Sequence, residues 1–314
     1  MELRFGILST SSIAPRFVAA VREAGVGSIV ALSSRTVEKA KEKAMQWEIP
    51  RAYGTHEELL YDNDVDIVYI SNVNAAHYHW AKKTLEAGKH VICEKPCTTS
   101  SAQTRELFRL AREKNRFFME AQKMLFLPAV LALKERIRRG DLGDICMADL
   151  SHSFSASYNN WMFDPEAGGG PLLSSGIYAL ELMIWLFGGI REIRGTPSKL
   201  ENGVEWQYIL TGVTDTGVPF TARNSTRGVL DKVCRISGTK GYVELPEYWK
   251  ARKAILHING QAPETLEFPC EFELSYEAKH VQQCLQQGLL TSPVVTPELT
   301  LQAIEAIEKL KTSW

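Results

Sequence analysis

A chain of 314 residues exceeds what one ordinary hydrophobic core organises, so two domains are expected. With 45% hydrophobic and 23% charged residues the profile is globular, and a net charge of −1 offers no basic surface to nucleic acid or an anionic membrane. Six scattered cysteines include one close pair, Cys93 and Cys97, with no second pair to complete a zinc site, so no metal is expected and the thiols read as those of a reducing, cytoplasmic protein. The chain enters an apolar strand at Leu3 without a signal-like segment, and no window approaches 18 uninterrupted apolar residues.

The first ~120 residues alternate strand and helix patterns. Residues 3–8 read as a strand. Residues 12–24 have helical spacing (Ile13, Phe17, Val18, Val21), with Pro15 tolerable in the first turn. A strand at 28–33, a charged helix at 37–47, a short extended piece at 52–53 and a short helix at 56–61 follow. Then come a strand at 65–71, a helix at 75–87 ended by Gly88, a strand at 90–93, a helix at 101–114 and a strand at 117–120. This alternation predicts a parallel sheet with right-handed crossovers, a doubly wound Rossmann domain over 1–121.

The pattern changes after Pro128. One helix at 129–139 precedes strands at 145–154, 192–196, 205–211, 219–225, 233–237, 242–245 and 254–258. A strongly apolar helix at 177–187 interrupts them, and helices at 276–287 and 297–311 close the chain. The reading for 122–314 is a mainly antiparallel open sheet with helices on one face, the closing helix being free to pack back on the first domain. The other face of such a sheet suits pairing with a second copy, as a homodimer or a dimer of dimers.

The stretch Cys93-Glu94-Lys95-Pro96 carries the most chemistry. Proline fixes its own φ and biases Lys95 away from helix, so the lysine is held at the carboxyl edge of the sheet, where open α/β sheets bind ligands. A salt bridge capping the strand is the plainer alternative. At the first strand-to-helix turn a dinucleotide site normally has G-x-G-x-x-G/A. Here Gly6 stands first, and Ser9, Thr10 and Ser11 line the phosphate turn ahead of Ile13, where hydroxyls and free helix amides can bind phosphate or simply cap the helix. After the second strand, Ser33-Ser34-Arg35-Thr36 offers a guanidinium and hydroxyls where NAD sites usually carry an acid. That favours NADP(H) over NAD(H), unless Arg35 is a solvated loop residue. Asn72, Asn74 and His77 follow the third main strand, where a loop would face the nicotinamide ribose, with Glu94 alongside.

Together these residues resemble the Gfo/Idh/MocA oxidoreductases. The likeness extends to Met119-Glu120-Ala121, Gly168 to Tyr178 (GGGPLLSSGIY), Ser237 to Gly241 and Ser275 to His280, and covers nearly the whole chain. The Gly-Ile-Tyr ending is similar to the dimeric dihydrodiol dehydrogenase branch. The resemblance implies hydride transfer between a nicotinamide and a hydroxyl or carbonyl carbon of a small polyol, sugar or cyclic diol. It makes Lys95 the key catalytic residue and Tyr178 the proton donor or acceptor. A tyrosine normally titrates near 10, and a nearby lysine cation favours tyrosinate. Without the resemblance, Tyr178 reads as a core residue opening an apolar helix.

Gln122, Trp161, Ser174 and Tyr178 are the expected substrate contacts. The aromatics Phe154, Tyr158, Trp161 and Phe163 precede the glycine run and suit either stacking on a ring or ordinary packing. Two positions depart from the family's pattern. Its aspartate falls on Ser174, and its arginine on Leu125. These departures leave room for a second reading, a nucleotide-binding regulatory or scaffold protein with weakened chemistry.

Overall fold

The structure, a computed structural model, describes residues 2–157 and 159–314. The chain divides into two compact units, Met1–Gln122 with Phe272–Pro297, and Lys123–Glu271 with Glu298–Trp314.

In the first unit β1 (Leu3–Leu8), α1 (Ala14–Ala24), β2 (Gly27–Ser33), α2 (Val37–Gln46), β3 (Arg51–Tyr53) and α3 (His56–Leu60) form the first half. The second half is β4 (Ile67–Ile70), α4 (Asn74–Glu86), β5 (His90–Glu94), α5 (Ser101–Glu113) and β6 (Phe118–Ala121). The strands pair in the order β3-β2-β1-β4-β5-β6, every pair parallel. This is the doubly wound order, with its switch point between β1 and β4. Strands buried on both faces need near-continuous apolar runs, which Ile67-Val68-Tyr69-Ile70 supplies. Local signals set the helix starts. Thr36 and Ser100 cap α2 and α5, and Thr55 with Glu58 forms a capping box on α3. α1 begins two residues later than its spacing suggests, with Ile13 as an N-cap whose side chain makes no capping bond.

The second unit opens with a short 3₁₀ turn (Lys123–Phe126) and α6 (Pro128–Arg138). It continues through β7 (Ile145–Ser153), α7 (Ile177–Phe187), β8 (Ile190–Lys199), β9 (Glu205–Thr214), β10 (Pro219–Ser225), β11 (Val233–Gly238), β12 (Gly241–Pro246), β13 (Lys253–Ile258) and β14 (Glu264–Glu267). The eight strands run β14-β13-β12-β11-β7-β10-β9-β8, antiparallel throughout except for the parallel pair β7/β10. Alternation places Tyr208 and Leu210 of β9 inward and leaves Ile209 and Thr211 exposed. β14 has the sequence Glu-Thr-Leu-Glu, too short and polar to register as a strand by pattern.

Two helices close the chain, α8 (Ser275–Gln286) and α9 (Pro297–Ser313). α8 belongs to the first unit. Glu273 just before it pairs with Arg16 of α1, and Gln282 Nε2 donates to Val26 O at 2.9 Å. From Glu298 on, α9 belongs to the second unit, where Trp314 Nε1 donates to Gly195 O at 3.1 Å. Among the described residues, no helix is long and apolar enough to cross a membrane.

Candidate active site

The phosphate turn lies between β1 and α1. Ser9 makes the turn, with φ at 102° and its amide donating to Ser33 O at 3.2 Å. Ser11 Oγ donates to Ser71 Oγ at 2.8 Å, and Thr10 Oγ1 lies 3.5 Å from Ser34 Oγ. The three hydroxyl residues therefore sit at the carboxyl ends of β1, β2 and β4. Gly6, expected in the turn, is instead inside β1, paired with Ala31 and Val68. A Cβ at Gly6 would lie 2.9 Å from Val65 Cγ1, so this glycine serves packing under the sheet. The strand continues two residues past Gly6, and the left-handed step falls on a serine.

Ser33 and Ser34 are buried at the end of β2, while Arg35 is exposed and has no ion pair among the described residues. Behind Ser33 lies His56, which the sequence did not single out. Its Nδ1 is 2.8 Å from Ser33 Oγ, and its Nε2 is 3.4 Å from Asn72 Nδ2. With the Asn72 amide donating to Nε2, Nδ1 carries the proton and donates to Ser33. Burial, helped by the Arg35 cation and opposed by Glu57, pushes His56 down to about 4, so the ring is neutral at pH 7.

The Glu94-Lys95-Pro96 turn is gripped from three sides. Tyr69 Oη donates to Glu94 Oε1 at 2.6 Å, and the Lys95 amide reaches Glu94 Oε2 at 3.3 Å. His77 Nδ1 lies 2.7 Å from Pro96 O. The Cys97 amide donates to the fully buried Glu120 at 2.8 Å. Tyr69 itself is stacked on Phe17 of α1 with ring centroids 3.7 Å apart. Lys95 is half-buried in the middle of this clamp.

His77 is thus placed differently from the cofactor contact expected of it. It is 1% exposed, and its second nitrogen lies 2.9 Å from Asn72 O. Both nitrogens are committed to backbone carbonyls, so the ring ties the loop after β4 to the turn after β5. Burial is the largest influence on it and lowers its affinity for a proton; the two carbonyls and the Glu94 and Glu120 charges oppose that. Asn74 is buried in the first turn of α4.

Gln122, directly after β6, is fully buried, and neither side-chain amide atom has a hydrogen-bond partner among the described residues; Asn72 Oδ1 is in the same state. A buried, unpaired amide costs about 1–3 kcal/mol, which a bound polar ligand would recover. Ser9, Thr10, Ser11, Arg35, Asn72, Lys95 and Gln122 thus share one edge of the parallel sheet. They fit a dinucleotide: hydroxyls and helix amides at the phosphates, a cation beyond β2 and unpaired amides at the far end.

In the second unit the glycine run is built by close backbone approach. The Gly170 amide donates to Met162 O at 2.6 Å and that of Gly169 to Asp164 O at 3.0 Å. A Cβ at Gly169 would lie 2.7 Å from the Met162 carbonyl carbon. This contact anchors the short turn Trp161–Phe163, leaving Trp161 39% exposed while Phe163 is buried. Tyr158 lies outside the described residues. After Pro171 the backbone forms a π-turn, Leu172–Gly176, carrying Ser174, and leads into α7 with the buried Tyr178 in its first turn. Such turns are frequent at functional sites. Leu125, where the family pattern has arginine, is fully buried. Among the described residues, no group of three or more His, Cys, Asp and Glu could hold a metal ion.

A doubly wound sheet with a hydroxyl-lined turn and a clamped lysine at its carboxyl edge, followed by an open-sheet unit, defines the class of two-domain dinucleotide-dependent oxidoreductases. A family model described as the GFO_IDH_MocA oxidoreductase family, NAD-binding Rossmann fold, matches residues 3–122, and the GFO/IDH/MocA C-terminal domain matches 130–244. The chain belongs to the Gfo/Idh/MocA oxidoreductase family. It is 34% identical over 329 residues to trans-1,2-dihydrobenzene-1,2-diol dehydrogenase of Bos taurus, covering 98% of this chain and 97% of that one. Its fold is that of a 3-ketoreductase from Actinomadura kijaniata solved with NADP and TDP-benzene (TM-score 0.91, 21% identity, 99% and 98% covered). It is also that of a levoglucosan dehydrogenase solved with NADH and levoglucosan (TM-score 0.90, 17% identity, 100% and 98% covered).

Proposed function

We propose that this oxidoreductase prefers NADP(H) and interconverts a hydroxyl and a carbonyl on a small polyol, sugar or cyclic diol. The observation that carries the reading is the threefold grip of Tyr69, His77 and Glu120 on the turn that presents Lys95. A bare surface lysine would not warrant two buried side chains and a backbone-to-carboxylate bond around it. Ser9, Thr10, Ser11, Ser34 and the amides around Ile13 would hold the phosphates, Arg35 the 2′-phosphate, and Asn72, Asn74 and Glu94 the ribose side. The bound nicotinamide supplies or accepts the hydride. Lys95 orients the reacting oxygen and stabilises negative charge on it. Tyr178 moves the proton at that oxygen, a role typically worth about 10²–10⁴ in rate. Gln122, Trp161 and Ser174 grip the rest of the substrate, the unpaired amide of Gln122 taking a hydroxyl. The name of the curated bovine relative supports a cyclic diol as the first substrate to try.

Lys95→Met is expected to abolish turnover while NADPH binding changes little. Tyr178→Phe is expected to lower kcat by about 10²–10⁴. Both are measured with NADP⁺ on a panel of cyclic diols, inositols and aldoses. Wild-type rates in both variants would overturn the assignment.

The exposed sheet face, with Met147 at 45% and Ile209 at 58% exposure, supports a homodimer through that sheet. Sedimentation of an Ile209→Glu variant against wild type tests it: equal masses would remove the claim. Six free cysteines support a reducing, cytoplasmic setting.

A further inference from the structure

Glu205, the first residue of β9, is 3% exposed, and nothing in the sequence marks it as part of a site. Its Oε1 accepts the Leu172 amide hydrogen at 2.9 Å. Gly170, with φ at 113°, turns directly over this carboxylate; a Cβ there would lie 2.8 Å from both Glu205 Cδ and Oε2. Burial is the largest influence on the carboxyl and raises its affinity for a proton above the ordinary carboxylate range, and the Lys311 and Lys199 cations and the Leu172 amide offset this only in part. A second support lies a few residues on. Asn224 Nδ2 donates to Ser175 Oγ at 2.5 Å, and Ser175 Oγ donates to Pro171 O at 3.0 Å. The Tyr208 hydroxyl packs over Gly176, where a Cβ would lie 3.2 Å from Tyr208 Cζ. Between these supports runs the π-turn, in which the Ile177 amide reaches back five residues to Leu172 O.

We infer that Glu205 is a positioning residue for the oxidoreductase. Its buried carboxylate fixes the Gly170–Leu172 step and so sets where the π-turn presents Ser174 and Tyr178. Burying a carboxylate is expensive unless its bonds are made. An apolar side chain of similar size would leave the Leu172 amide unpaired, and a shorter one would let the glycine run collapse onto β9. Glu205 touches no reacting atom and acts only through the turn. The inference rests on the reading of Tyr178 as proton carrier.

The test compares Glu205→Ala and Glu205→Gln with wild type. Glutamine keeps the length and an acceptor oxygen. With a cyclic trans-1,2-diol and NADP⁺, Glu205→Ala is expected to lower kcat by about 10–100-fold, the scale of an ångström-level misplacement. NADPH affinity should stay within about twofold, because the nucleotide residues lie in the other unit. Glu205→Gln should recover most of the rate. Hydrogen exchange at 172–176 should accelerate in the alanine variant and not in the glutamine variant. Unchanged kcat per folded molecule in Glu205→Ala overturns the inference, as does a loss in Glu205→Gln equal to that in alanine. Tyr178→Phe separates the two readings. If it leaves activity intact, the proton assignment fails, and the exchange at 172–176 alone decides Glu205: unchanged exchange overturns its role, faster exchange sustains it. If the alanine variant does not fold, the glutamine variant decides: a rate within about threefold of wild type with unchanged exchange supports the acceptor role, and a larger loss refutes it.

Discussion

Ser9 makes the tight step that glycine makes in the usual phosphate turn, at φ 102°. A side chain held in such a sparsely populated region costs about 1–3 kcal/mol. Replacing serine by glycine removes that cost but adds unfolded-state freedom worth roughly 0.5–1 kcal/mol. The balance for Ser9→Gly is a stabilisation of about 1 kcal/mol, or roughly 2–4 °C in Tm for a unit of this size. Among the described residues no hydrogen bond of the Ser9 hydroxyl offsets this; the bond to Ser33 O is made by its backbone amide. If the hydroxyl binds phosphate, the same substitution weakens NADPH by about 10–100-fold, the worth of one hydrogen bond to a charged group. Thermal unfolding without cofactor and fluorescence titration with NADPH read the two effects separately. A lower Tm in Ser9→Gly would refute the reasoning, because the serine would then be contributing stability rather than storing strain.

Arg35→Ala should weaken NADPH by about tenfold or more and leave NADH nearly unchanged, the worth of one charge-assisted contact, as read by nicotinamide fluorescence. Gln122→Leu should raise Tm in the free protein, because it removes an unpaired buried amide, and raise KM for the hydroxylated substrate. Burial pushes His56 and His90 down to about 4, whereas in the unfolded chain they titrate near 6.5. Between those values the unfolded state binds more protons, so stability falls as pH drops from about 6.5 towards 4. Urea unfolding at pH 7.5 and pH 5 should show a smaller loss in His56→Gln than in wild type. Ser174→Asp should broaden activity on polyols, checked on the same panel; an unchanged profile would mean the serine position does not grip substrate.

The doubly wound half was legible because alternating periods and helix caps agree along its length, with Thr36, Thr55 and Ser100 all starting helices where expected. In the second half the strands showed through alternation, but β14 is too polar and the π-turn of glycines and serines has no period. Nor does any local signal in residues 272–297 say which core they join. At the site, the lysine turn and the hydroxyl-rich loop could be read directly, since proline and serine act locally. The supports could not. Tyr69, His56 and Glu205 read as ordinary strand or helix-start residues and Glu120 only as part of a strand motif, and their hydrogen bonds span 16 to 33 positions of sequence, from His56 to Asn72 and from Leu172 to Glu205. Gly6 pairs inside β1 and His77 turns to backbone carbonyls, since spacing shows which residues are near an edge, not which way they point.

The most direct test of the account follows a labelled hydride. A cyclic trans-1,2-diol carrying deuterium on its carbinol carbons is incubated with NADP⁺ and either wild type or Lys95→Met, and the reduced nicotinamide is analysed for deuterium at C4. The account predicts stoichiometric transfer by the wild type and none by Lys95→Met, although the variant still binds NADPH. Transfer at the wild-type rate by Lys95→Met would contradict it.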